Sequence, residues 1–160
     1  MNKYLNFKIV GSGPSGLLLA ISLAKLNFNI YITDLLTREK LINKDKTYAI
    51  THSTRKILSK FNLWSKLKFY LYKFDSLSIS DSETLDFTIL TTSDLDKDIS
   101  SLDTIGWVVK HSDLMNVFFY EIDKIDNIFF KSTLDLSNEN ISYDYKFIST
   151  GANSNYMKNH

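Results

Sequence analysis

Three glycines and one acid near the start of the chain have the spacing to hold a nucleotide. Gly11-Ser12-Gly13-Pro14-Ser15-Gly16 fits G-x-G-x-x-G, and Asp34 follows further on. Gly11 permits a tight turn out of a strand. Gly13 lets the backbone come up to a pyrophosphate where a Cβ would intrude, and Gly16 allows close packing of helix on sheet. Pro14 and Ser15 open a helix whose free N–H groups and positive dipole end face the phosphates. A carboxylate at Asp34 can accept from a ribose diol and would repel a 2′-phosphate, which argues against NADP at this spot. Glycine is scarce here, 5 of 160 residues, and the one proline is Pro14 itself. The pattern arises by chance in roughly half a percent of such chains. The plainer reading is a glycine turn that only joins strand to helix. The flanking elements favour a dinucleotide, and such a unit serves FAD and NAD alike.

Those elements must place the glycines at a strand end. Phe7–Val10 is a short β-rich run directly before Gly11. Leu17, Leu18, Leu19, Ile21, Leu23, Ala24 and Leu26 predict a buried helix, broken at Asn27-Phe28-Asn29. Ile30–Asp34 predicts a second strand ending in the acid. Residues 35–50 read as a loop. Ile57, Leu58, Phe61, Trp64 and Leu67 predict one helix over about 53–67. Leu77 and Ile79, then Leu85, Phe87 and Ile89, alternate with polar residues and predict a hairpin across Asp81–Thr84. A polar loop over 91–104, a strand at Trp107–Val109, a helix from about Ser112, and strands at Ile128–Phe130 and Lys146–Ile148 complete the reading. The class is α/β: a single domain over 1–160, with a Rossmann-like βαβ unit and a β-rich insertion at roughly 74–110.

Composition removes several other functions. Lys+Arg 19 against Asp+Glu 18 gives a net charge of +1, which offers no footprint for nucleic acid. Cysteine is absent, so disulfides, thiolate metal sites and Cys nucleophiles are excluded. His52, His111 and His160 lack ligand spacing and read as surface or hydrogen-bonded histidines. Asp94, Asp96 and Asp98 open like a calcium loop, but Ile99 and Ile105 stand where Gly and Glu are required. The apolar run Gly16–Ala24 is far short of the roughly 20 residues that cross a bilayer, and a cytoplasmic location is expected.

Four stretches together resemble the FAD-dependent aromatic-ring monooxygenases, with the nearest likeness to the ubiquinone-biosynthesis hydroxylases. The first is Gly11–Gly16 with Asp34. The second runs Asp45-Lys46-Thr47-Tyr48-Ala49-Ile50 into His52–Leu58 and Phe61–Trp64, similar to "D-x-R-x-x-A-L … S-S-R-x-x-L … L-G-x-W". The third is Ile105–His111, similar to "L-G-Y-V-V-E-x". The fourth is Thr150-Gly151-Ala152-Asn153-Ser154, similar to "A-D-G-A-N-S".

The resemblance implies FAD with its ADP half on Gly11, Gly13, Pro14, Ser15 and Gly16, and Asp34 on the adenosine ribose. It implies Lys46 at the position of an arginine that touches the flavin nucleotide, Arg55 lining the cofactor channel, and Gly151 beside the cofactor. NAD(P)H would be the reductant and O₂ the oxidant for hydroxylation of an aromatic ring. The substrate would be a small aromatic or quinone precursor, with peripheral membrane association if that substrate is lipophilic. Two departures stand out: Thr150 replaces the family's Asp, and Met157 a later Arg. The family's downstream Gly-Asp motif and substrate sheet are lacking, so the resemblance implies an N-terminal portion completed by a C-terminal domain or a partner chain. The alternatives are a non-catalytic dinucleotide-binding remnant, a plain NAD-binding domain, or another flavoprotein of the prenyl-lipid reductase, epoxidase or halogenase type.

Overall fold

The computed structural model describes residues 5–81, 83, 86–95, 103–133 and 142–151. The chain divides into two compact units, Met1–Asp45 with His111–His160, and Lys46–Lys110.

The first unit is built on a parallel sheet. Its strands β1 (Asn6–Val10), β2 (Asn29–Asp34), β8 (Ile128–Ser132) and β9 (Tyr145–Ile148) lie in the order β8-β2-β1-β9. Every neighbouring pair is parallel, with Phe7 opposite Ile30 and Tyr145, and Ile30 opposite Ile128. Phe7, Ile9, Ile30 and Ile32 thus share one face and are all buried. Helices α1 (Pro14–Ala24) and α5 (His111–Ile122) pack on each other. They contribute Leu17, Ile21, Leu114, Met115 and Phe118 to the same core. Burial of such side chains is worth about 1.5–3 kcal/mol each. Asn27 ends the turn after α1 in the left-handed region (φ 61°), a conformation Asn tolerates better than most residues. The loop is then tied by Asn127, whose amide donates to the carbonyls of Ala24 and Phe28 at 3.0 and 2.6 Å.

Residues 35–50 are not one loop. They hold a short helix α2 (Arg38–Ile42) and strand β3 (Thr47–Thr51). Five helical residues leave no periodicity to read, and tertiary contacts hold α2 in place. Leu41 is buried, and its carbonyl meets His111 Nε2 at 2.6 Å. Arg38 forms a two-pronged ion pair with Asp123 at 2.7 and 2.8 Å and lies over the Phe119 ring.

The second unit contains an antiparallel sheet of order β3-β7-β4, with β4 at Tyr72–Phe74 and β7 at Gly106–Lys110. The helix expected over 53–67 is two: α3 (His52–Lys60) and α4 (Trp64–Leu67). Asn62 between them has φ 59°, which stops α3 and turns the chain. The hairpin expected after residue 76 is present as β5 (Ser76–Ser80) and β6 (Phe87–Thr91). Its register sets Ser80 opposite Phe87 and Ser78 opposite Ile89. Phe87 and Ile89 therefore lie on the opposite face from Leu77 and Ile79, and all four side chains are exposed.

The strands expected at 107–109, 128–130 and 146–148 and the helix expected from Ser112 are all present. Asp94 closes a short 3₁₀ turn, where its carboxylate accepts from the Thr91 N–H and hydroxyl. Asp96, Asp98, Leu85, Met157 and His160 lie outside the described residues. No group of metal-ligating side chains occurs among the described residues. His52 and His111 are buried, each with Nε2 at a carbonyl oxygen. No helix among the described residues is long and apolar enough to cross a membrane.

Candidate nucleotide site

The carboxyl ends of β1, β2 and β9 meet at the glycine turn. The Gly11 N–H donates to the Thr33 carbonyl at 2.8 Å, and the Ser149 N–H to Val10 at 2.7 Å. The turn is crowded on the protein side. Gly11 has φ +98°, and a Cβ there would lie 2.5 Å from the Ser149 carbonyl oxygen and 2.8 Å from Thr150 Cα. A Cβ on Gly16 would overlap the Gly11 carbonyl. Glycine at 16 therefore lets the first turn of α1 press against the loop that precedes it and against Ser149, just past the end of β9.

Gly13 is different. Its φ of −64° and ψ of 177° suit any residue. Apart from its two chain neighbours, no described residue comes within 4 Å of where its Cβ would stand. Among the described residues nothing requires a glycine at this position, and none fills the space beside it. Gly13 is the N-cap of α1, with no side chain to cap the helix, and Pro14 takes the first helical position. Leu17 is the first residue whose N–H returns to the Gly13 carbonyl, at 3.0 Å. The amides of Ser15 and Gly16 precede it and have no helical carbonyl to reach. An anion at this end meets backbone donors and a favourable dipole.

Asp34 closes the side of the turn. Its Oδ2 accepts from the Ser12 amide at 2.7 Å and the Ser12 hydroxyl at 2.8 Å, and its Oδ1 from the Leu36 amide at 3.0 Å. Two carboxylate oxygens offer about four acceptor directions, so one further donor, such as a ribose hydroxyl, fits. The acid thus also fixes the loop that would seat the phosphates. Ser12 was a signal missed in the sequence, because the motif treats its position as free. Asp34→Ala would strand the buried Ser12 N–H and hydroxyl, and is expected to cost about 2–3 kcal/mol. A shift of the urea midpoint at unchanged slope would check it.

The structure brings Gly11, Gly13, Pro14, Ser15, Gly16, Asp34 and Gly151 into the first unit. Gly151 follows β9 with φ +82°, next to Thr150, whose hydroxyl is buried and has no partner among the described residues. Ala152, Asn153 and Ser154 of the fourth stretch lie outside the described residues. Lys46 and Arg55 belong to the second unit. Lys46 is exposed just before β3. Arg55 lies on α3 against the rings of Trp64 and Trp107. Two residues beyond Lys46, burial raises the Tyr48 phenol above its ordinary value.

No family model matches the chain. An uncharacterized protein of Synechocystis sp., slr1300, is 33% identical over 75 residues, which is 47% of this chain and 18% of that protein. Among solved structures, the chain is similar to p-nitrophenol 4-monooxygenase PnpA from Pseudomonas putida, with TM-score 0.65 and 17% identity over 82% of this chain and 32% of that one. It is also similar to P. aeruginosa PqsL in complex with 2-aminobenzoylacetate, with TM-score 0.60 and 15% identity over 80% and 33% of the two chains. A third likeness is to the flavin-dependent monooxygenase PieE in complex with FAD and substrate, with TM-score 0.61 and 9% identity over 82% and 24%. At these identities the likeness is one of fold. It gives this chain the α/β fold seen in part of the FAD-dependent monooxygenases, and the chain spans a third or less of each of these structures.

Proposed function

We propose that this chain is the nucleotide-holding portion of a FAD-dependent aromatic-ring hydroxylase of the quinone-biosynthesis type, reduced by NAD(P)H. The observation that carries the reading is Gly13: a glycine at the head of α1 with ordinary dihedrals and with no described residue beyond its chain neighbours crowding its Cβ position. A cradle that a Cβ would fill fits a pyrophosphate. The amides of Ser15 and Gly16 would hold the phosphates, and Asp34 would take an adenosine ribose hydroxyl while its other acceptor sites keep the loop closed. Gly151, in the same unit, would complete the cofactor's surroundings there. FAD, when bound, supplies the redox and oxygen chemistry. The chain's own residues bind it, orient it and fix the loop. The substrate would be a small aromatic or quinone precursor, with the remaining substrate surface supplied by a further domain or a partner chain.

The test is reconstitution of the full chain with FAD, followed by gel filtration and a visible spectrum. The reading expects a yellow protein with about one flavin per chain, displaced by ADP. A colourless protein that takes up neither FAD nor ADP would overturn it. A second reading, dinucleotide binding without turnover, is favoured by Thr150. Its buried hydroxyl has no partner among the described residues, at the position where the resembled family carries an acid. Thr150→Asp is expected to strengthen FAD binding about tenfold under the first reading, the value of one good charge-assisted hydrogen bond. Under the second it leaves the affinity unchanged. A fluorescence titration with FAD separates the two.

A further inference from the structure

The Arg55 guanidinium lies over two aromatic rings, 5.2 Å from the Trp64 centroid and 5.1 Å from that of Trp107. The rings meet edge to face at 4.8 Å. Trp107 is buried and is held in turn by His52 at 4.9 Å. Among the described residues Arg55 has no carboxylate partner. A ring face attracts the cation without accepting its N–H groups as a carboxylate oxygen does, so the fork of donors stays available.

That fork lines a cavity of about 390 Å³ within the second unit, together with Lys68, Lys73 and Asp103. Among the described residues that line it, three cations against one carboxylate leave an excess of two positive charges. The volume falls in the range of ligand pockets, about 300–1,000 Å³. The tryptophans pin the guanidinium, so little freedom remains to be lost when it binds. A planar fork suits an oxyanion bidentately, and a dianion balances the charge better than a carboxylate does.

We propose that this cavity is a phosphate site, with Arg55 as the bidentate anchor and Lys68 and Lys73 as flanking charges. It takes a dianionic phosphate, either the free ion or the monoester group of a small metabolite. The site stands apart from the glycine turn in its residues and does not depend on that assignment.

The protein carries its own reporter, because Trp64 and Trp107 are its only two tryptophans and both line the cavity. The full chain is titrated at low ionic strength with inorganic phosphate and, separately, glycerol phosphate, against sodium chloride of matched ionic strength. A saturable change in tryptophan emission with phosphate, beyond the effect of chloride, is expected. Lys73→Gln, at an exposed position, should weaken it about fivefold, and Arg55→Gln should abolish it. Gly13→Val should respond as the wild type does. Equal response to both phosphates identifies the free ion, and tighter response to the ester identifies a metabolite. The proposal is overturned if neither phosphate gives a saturable change, or if Lys73→Gln and Arg55→Gln titrate like the wild type. Should Arg55→Gln fail to fold, Lys73→Gln and Lys68→Gln decide.

Discussion

Gly13→Val is expected to leave the fold standing and to remove nucleotide binding, with ADP affinity falling about a hundredfold or more. The two halves of this expectation have separate causes. On the protein side, Gly13 has dihedrals any residue adopts, and beyond its chain neighbours no described residue comes within 4 Å of an added Cβ. The change costs the difference between a Gly and a Val N-cap, about 1 kcal/mol. On the ligand side, phosphate oxygens must come within hydrogen-bond distance of the first-turn amides. A branched side chain at the cap fills that space. Loss of two charge-assisted hydrogen bonds, at about 1.5–3 kcal/mol each, corresponds to at least a hundredfold. Circular dichroism and an ADP titration by calorimetry on the same sample measure both halves. Wild-type affinity in a folded variant would contradict the pyrophosphate assignment.

Gly16→Ala has the opposite signature. Helix propensity favours Ala over Gly by about 1 kcal/mol, so a local reading predicts a more stable protein. The structure predicts a less stable one. The new Cβ would overlap the Gly11 carbonyl, a backbone atom with no rotamer to change. Gly11 in turn is held at φ +98° against the backbone of Ser149 and Thr150, so the loop has nowhere to retreat. Overpacking of this kind costs about 1–3 kcal/mol and sometimes more, which exceeds the propensity gain. At about 2–4 °C per kcal/mol for a chain of this size, Tm should fall by several degrees. A thermal melt that moves upward would show that propensity wins and that the turn is looser than described.

The contrast between these two glycines also shows how far the sequence could be read. The β1–α1–β2 unit is specified locally, by glycine placement, by Pro14 at the helix start and by a continuous apolar run, so its elements fall where the residues suggest. Part of what escaped depends on partners distant in the chain, and part on single residues or on strand register. Helix α2 is too short to show a period and is held by Asp123 and by contact with His111. The break between α3 and α4 rests on one left-handed residue, Asn62, inside an otherwise helical pattern. In the hairpin, alternation within each strand was legible, but the register that sends Phe87 and Ile89 to the face opposite Leu77 and Ile79 was not. At the site, the motif placed Asp34 beside the turn but gave no hint that Ser12 engages two of its acceptor directions. Likewise, Arg55 was legible as part of a motif, whereas the cavity it forms with Lys68 and Lys73 joins α3 to residues on either side of Leu71.

The central claim is that the head of α1 seats two linked phosphates. Amide chemical shifts of the isotopically labelled chain, followed by NMR during titration with ADP, test it residue by residue. The account predicts saturable shifts largest at Ser12, Gly13, Ser15 and Gly16, with Leu36 moving as Asp34 takes up the ribose. Binding whose largest shifts fall elsewhere, or no saturable change at these amides at millimolar ADP, would contradict it.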